Sequence, residues 1–149
     1  MKMVKKVIIG SDHAGFKLKE RIKKELDKKF QFDDMGTKDE TPVDYPVYAE
    51  KVAKKVVKNP KFLGVLTCGS GIGMSIAANK VKGVRAALCY TKKAAELARE
   101  HNNANILVIP GREEPMDNPI EIVKTFLNTK FSSDARHKRR IKEIGVIEK

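Results

Sequence analysis

The sequence predicts a three-layer α/β/α sandwich built on a five-stranded, mostly parallel sheet. Short apolar runs alternate five times with amphipathic or small-residue helical stretches, which is the pattern of parallel strands joined by helical crossovers. The polar residues best suited to chemistry fall just after the first, third and fifth runs, where ligands of such sheets bind. At 149 residues the chain is long enough for one domain with a substantial core, and 1–149 reads as a single unit.

The first strand spans Val4–Gly10, with Val7, Ile8 and Ile9 consecutive and apolar. Leu18, Ile22, Leu26 and Phe30 then recur at i+4, predicting a helix from about Gly15 to Lys29. Phe32–Met35 reads as the second strand. The polar loop 36–45 ends at Pro46, which suits a helical first turn. The helix it opens carries Tyr48, Ala49, Val52, Ala53, Val56 and Val57 and stops at Asn59-Pro60. Phe62–Thr67 is the third strand, followed by Cys68-Gly69-Ser70-Gly71-Ile72-Gly73 and the small-residue helix around Ile76–Lys80. Lys82-Gly83 turns the chain into strand four, Val84–Cys89. Thr91 caps the next helix, which runs to about His101, where Asn102 and Asn103 can adopt the left-handed conformation that ends it. Strand five is Asn105–Ile109. Asn118-Pro119 starts a further helix, with Glu121 at a capping-box spacing and Ile122, Val123, Phe126 and Leu127 as its core face. A basic helix of about 132–145 closes the chain, with Ile141 and Ile144 on one side to pack, on a partner subunit in our reading.

Composition excludes several classes. No apolar run approaches the ~18 residues of a membrane span, and the apolar stretch after the basic N-terminus is too short for a signal peptide. Cys68 and Cys89 have neither metal-ligand spacing nor a disulfide framework, which suits a reduced, cytoplasmic protein. The net charge of +12 points to anionic partners. Most of it is lysine spread over helix faces such as 17–29 and 51–58, the pattern of a solvated surface.

The stretch 66–75 is the centre of the functional reading. A strand feeding a glycine loop that opens a helix aims unpaired backbone N–H groups at one spot, an anion site. The cysteine at its mouth is expected to have a depressed pKa and to serve as base or nucleophile. The dinucleotide pattern fits poorly: Gly73 comes one place early, Met74 holds the expected position, and the next strand ends without an acidic residue. No P-loop run exists. The competing structural reading is a tight turn with an inert cysteine. If strands one and three are neighbours, Asp12, His13 and Cys68 share one crevice, and Arg112 follows strand five at the same end. Taken singly, His13 could be merely packed, His101 could complement a helix dipole, and Tyr45 could anchor a loop. Arg136 and Arg140, at i and i+4, can clamp one phosphate, although such a tail also reads as a nucleic-acid-binding face. A thiol, a backbone oxyanion site, histidines and arginines, without a metal-ligand set, suit proton abstraction beside the carbonyl of a phosphorylated small molecule.

Ser-Asp-His-Ala-Gly at 11–15, Val-Asp-Tyr-Pro at 43–46, Cys-Gly-Ser-Gly-Ile-Gly-Met-Ser-Ile-Ala-Ala-Asn-Lys at 68–80, His-Asn at 101–102 and Arg-His-Lys-Arg-Arg-Ile at 136–141 together resemble the type B ribose-5-phosphate isomerases. That family also includes the galactose-6-phosphate isomerase subunits. The resemblance covers nearly the whole chain. It implies a Rossmann-like fold and interconversion of ribose 5-phosphate and ribulose 5-phosphate, a step of the pentose phosphate pathway, through a cis-enediolate without metal or cofactor. It implies Cys68 as the base, with Ser70 and the N–H groups of Gly69, Gly71, Ile72 and Gly73 supporting the oxygens. His101, helped by Asp12, would open the furanose ring. Tyr45 and Asn102 would contact sugar hydroxyls, and His13, Arg112, Arg136 and Arg140 would hold the phosphate. It also implies a homodimer or homotetramer with the site at the subunit interface. Ser70 stands where threonine is common, Asn103 where aspartate often follows the His-Asn pair, and Pro110 precedes Gly111-Arg112. The alternatives are isomerisation of a six-carbon aldose phosphate, of allose or galactose, and a non-catalytic basic protein that binds nucleic acid.

Overall fold

The computed structural model describes residues 5–112 and 114–148. Val4, the expected start of the first strand, lies outside them. The elements run β1 (Lys5–Ser11), α1 (Phe16–Leu26), β2 (Phe30–Asp34), α2 (Tyr45–Val56), β3 (Leu63–Cys68), α3 (Ile72–Ala78), β4 (Ala86–Leu88), α4 (Lys92–Glu100), β5 (Ile106–Pro110), α5 (Pro119–Asn128) and α6 (Ala135–Ile147). The strands form one sheet in the order β2-β1-β3-β5-β4, and every pairing is parallel.

Strand parity sorts the core into two layers. Val7, Ile9, Val65, Leu107 and Ile109 face α1, α4 and α5, whose Leu18, Ile22, Ala95, Val123 and Phe126 complete that side. Ile8, Leu66, Cys68, Ile106 and Val108 face α2 and α3 and pack on Val52, Ala53, Val56, Met74 and Ala78. The central strands are buried on both faces, which is why they read as unbroken apolar runs. β1 and β3 are neighbours with β2 outside, so the winding reverses between them and opens a crevice at their carboxyl ends.

Several boundaries differ from expectation. α1 ends at Leu26, where Lys29 N–H turns back onto Leu26 O, and Phe30, already in β2, pairs with Lys5 of β1. β4 is three residues long because side-chain amides replace the ladder at its start. Asn105 Oδ1 accepts from Arg85 N–H and Asn79 Oδ1 from Ala86 N–H. Pro110 ends β5 without disrupting the ladder, since its nitrogen faces the β4 side, where β4 has already ended at the level of Val108. Thr91 caps α4 through Ala94 N–H as expected. Asn103, not Asn102, takes the left-handed conformation, with φ 46°. Asn118 Oδ1 accepts from Ile120 N–H, and Glu121 pairs with Lys124 at 3.6 Å, so the side-chain half of the expected capping box is spent on an ion pair. Lys19 departs from the solvated-lysine reading. It is 1 % exposed and pairs with Asp34 at 2.6 Å and Glu20 at 2.9 Å.

Candidate active site

The loop after β1 turns on Asp12. Its Oδ1 accepts from Gly15 N–H at 3.0 Å, and its own N–H donates to Thr67 O at 3.3 Å, which ties the loop to β3. His13 Nδ1 accepts from Val43 N–H at 3.1 Å, so the proton of the neutral ring sits on Nε2. The same bond draws the segment before α2 over the crevice and brings Tyr45 with it. A β-carbon built on Gly73 would lie 2.5 Å from Tyr45 Cζ and 2.7 Å from its hydroxyl oxygen, so the tyrosine lies directly against the first turn of α3.

Cys68 ends β3 and is 5 % exposed. Its Sγ accepts from Gly71 N–H at 3.2 Å. Gly71 can deliver that N–H because its φ of 81° turns the chain into α3, a conformation that costs other L-residues about 1–2 kcal/mol. Ser70 Oγ accepts from Ile72 N–H at 3.2 Å. Two of the backbone donors expected to await a substrate oxygen are therefore engaged within the loop, one on the sulfur itself.

The thiol pKa is displaced the opposite way from the sequence expectation. Burial pushes the Cys68 thiol up, and the Asp12 carboxylate adds to that; the N–H groups of Met74, Gly71 and Ser70 oppose the rise without reversing it. A strand end buried on both faces removes the sulfur from water more than the short helix behind it can offset. On the third side, Gly111 N–H donates to Cys68 O at 2.6 Å and Arg112 N–H to Gly69 O at 3.2 Å. Arg112 Nη1 passes 3.3 Å from where a Gly69 β-carbon would be. Beyond Arg112, a cavity of ≈ 750 Å³ opens between α1 and α5; neither Cys68 nor Tyr45 lines it.

The structure thus brings together Asp12, His13, Tyr45, Cys68, Gly69, Ser70, Gly71, Ile72, Gly73 and Arg112. It does not bring His101, Asn102, Arg136 or Arg140 to them within one chain. His101 caps the C-terminus of α4, which runs back along the sheet, so it sits at the amino end of β5. Ile106 is level with Gly64 and Pro110 with Cys68, and those four steps alone span about 13 Å. The expected pairing of His101 with Asp12 is therefore absent inside the chain.

At that far end His101 stacks on His137, with ring centroids 4.3 Å apart and planes 17° from parallel. No sequence signal points to this contact, because no periodicity links α4 to α6. His137 is held below the usual imidazole range by burial, then by His101 and Arg136. Arg136 and Arg140 are exposed on α6, with Arg136 Nε 3.6 Å from Asp134. Asn102 and Ile144 line a cleft of ≈ 270 Å³. Exposed apolar side chains flank both groups: Tyr45, Val47, Ile72 and Ile76 beside the crevice, and Ile144, Val146 and Ile147 on α6. Among the described residues no cluster of His, Cys, Asp and Glu could hold a metal ion, and no helix is long and apolar enough to cross a membrane.

A family model described as Ribose/Galactose Isomerase matches residues 7–144. The ribose-5-phosphate isomerase B of Mycolicibacterium paratuberculosis is 41% identical over 146 residues, covering 97% of this chain and 92% of that protein. The crystal structure of a ribose 5-phosphate isomerase from Thermotoga maritima aligns with a TM-score of 0.89 at 51% identity, covering 95% of this chain and 97% of that one. Ribose-5-phosphate isomerase B of Mycoplasma genitalium, solved with bound ribulose-5-phosphate, aligns at 0.87 and 44% identity, covering 96% and 95%.

Proposed function

The chain belongs to the Ribose/Galactose Isomerase family, and from that premise we propose that it interconverts D-ribose 5-phosphate and D-ribulose 5-phosphate. The observation that supports this most directly is Cys68 Sγ at the carboxyl end of β3, held by Gly71 N–H with Asp12, His13, Tyr45 and Arg112 around it. The Cys68 thiolate takes the C2 proton of the open-chain aldose. The electron pair moves to O1, giving a cis-enediolate that the remaining loop N–H groups and Ser70 support. The proton returns to C1, and transfer of the O2 proton to O1 leaves the ketose. Arg112 and the Nε2–H of His13 hold the phosphate from this side. The sulfur rests as a thiol, so it must first ionise, and turnover rises with pH.

The second half of the residue set is supplied by another copy of the chain. His101 for ring opening, Asn102 for a sugar hydroxyl, and Arg136 and Arg140 for the phosphate lie at the far end of the sheet. A homodimer that sets the α6 end of one copy on the Cys68 end of the other would complete two sites and cover the exposed isoleucines. The free cysteines suit a reducing cytosol.

Purified protein given ribose 5-phosphate in EDTA is expected to form ribulose 5-phosphate. Cys68→Ala is expected to lower kcat by about 10²–10⁴-fold while the chain stays folded. Turnover of allose or galactose 6-phosphate alone would reassign the substrate. No turnover of any aldose phosphate, or an unimpaired Cys68→Ala, would refute the reading.

A further inference from the structure

At the amino ends of β3, β4 and β5, at the opposite end of the sheet from Cys68, lies a polar cavity of ≈ 280 Å³. Arg85 and Arg99 both line it, with Asn103 between them. Arg85 directs Nε and Nη2 onto Asn103 O at 3.0 and 2.9 Å. Arg99 Nη1 donates to Asn103 Oδ1 at 2.9 Å and Ala104 O at 2.6 Å, while its Nε reaches Thr129 O at 3.1 Å. The left-handed backbone of Asn103 presents its carbonyl and its side chain to the two guanidiniums at once.

All of these acceptors are neutral. Among the described residues neither arginine has a carboxylate within ion-pair distance. Nη1 of Arg85 and Nη2 of Arg99 have no protein acceptor there either. Glu148 spends both carboxylate oxygens on Gly83 N–H at 3.0 and 3.1 Å and acts on Arg85 only at longer range. Burial holds both guanidiniums below their usual range, Arg85 adds to the effect on Arg99, and Arg99 with Lys130 does the same to Lys5. Half-buried like charges that meet at one residue and find only neutral oxygens call for an anion.

We propose that this cavity is a second anion site, distinct from the catalytic crevice, which binds a phosphate group, free or esterified, between Arg85 and Arg99. The forked, unused N–H groups of the two arginines match phosphate oxygens. Asn59 adds an amide to the rim, while the Asn105 amide is engaged with Gly83 O and Arg85 N–H, and the volume admits a phosphate with at most a small attached group. The side chain of residue 103 decides the outcome. An amide leaves the arginine pair uncompensated, whereas a carboxylate there would pair with Arg99 and cancel one of the two charges from within.

Calorimetric titration with inorganic phosphate, alone and with saturating ribose 5-phosphate, tests this. The wild type is expected to bind two phosphates per chain, one displaced by ribose 5-phosphate and one not. Asn103→Asp, which is nearly isosteric, is expected to weaken the undisplaced phosphate at least ten-fold and to raise Tm in phosphate-free buffer. Arg85→Gln is expected to lose the same phosphate without the gain in Tm. A single, fully displaced phosphate would overturn the proposal, as would an undisplaced one that binds Asn103→Asp unchanged. Two phosphates, neither displaced, would uphold this cavity and count against the isomerase reading instead. Glycerol 3-phosphate binding at the undisplaced site would mark the ligand as a phosphomonoester, and inorganic phosphate alone would mark it as the free ion.

Discussion

Gly73→Ala adds one methyl group to the first turn of α3, and the structure sets what that methyl meets. The backbone there is helical, so alanine is favoured over glycine by at most about 0.5–1 kcal/mol. The new β-carbon lies 2.5 Å from Tyr45 Cζ and 2.7 Å from Cε2. Carbon atoms settle at about 3.5–4.0 Å, so the ring must retreat by roughly 1 Å. Tyr45 is 38% exposed and can swing into solvent, which leaves the core intact. Tm is therefore expected to stay within about 3 °C of wild type, the equivalent of ~1 kcal/mol at this length. A hydroxyl contact to the sugar is worth about 0.5–1.5 kcal/mol, so its loss raises KM for ribose 5-phosphate roughly two- to thirteen-fold with kcat little changed. Initial rates of ribulose 5-phosphate formation and a calorimetric scan measure both quantities. An unchanged KM in the folded variant would remove Tyr45 from the substrate site. A Tm loss above ~6 °C would show that the ring cannot yield as argued.

Gly71→Ala should behave differently. Its φ of 81° and a clash with Leu88 Cδ1 at 2.6 Å together cost about 2–4 kcal/mol, so a thermal scan should show Tm lower by roughly 5–15 °C. The pH profile of kcat should rise from neutral into the alkaline range, because burial and Asp12 hold the Cys68 thiol above its ordinary value and only the thiolate is a base. Asp12→Asn removes the carboxylate and should move that rising limb to lower pH; a limb that stays in place would show that Asp12 does not act on the sulfur.

The sheet was legible because Val7–Ile9, Val65–Leu66 and Ile106–Ile109 are buried on both faces and no solvent-facing residue interrupts them. The boundaries of β4 were not, since the amides of Asn79 and Asn105 that displace its ladder are contributed by the α3 end and the turn before β5. The crevice followed from chain order alone: residues just after β1, β3 and β5 must meet if β1 and β3 are neighbours. The ionisation of Cys68 could not be read this way. A helix start in the sequence suggests a lowered pKa, but the balance depends on how deeply the strand end is buried and on a carboxylate more than fifty residues away. The stack of His101 on His137 was equally invisible, since α6 meets α4 only through the completed fold.

The length of the sheet between Cys68 and His101 has a genetic consequence. A chain lacking Cys68 still carries an intact far end, and a chain lacking Arg136 still carries an intact crevice. In the homodimer proposed above, coexpression of the two defective alleles would leave one of the two crevices whole while the other collects both lesions. A coexpressed pair of inactive variants is then expected to regain isomerase turnover that neither shows alone. Conversely, in that dimer an excess of the Cys68-less chain would spoil wild-type crevices less than its abundance suggests, because it would lend its partner a working end.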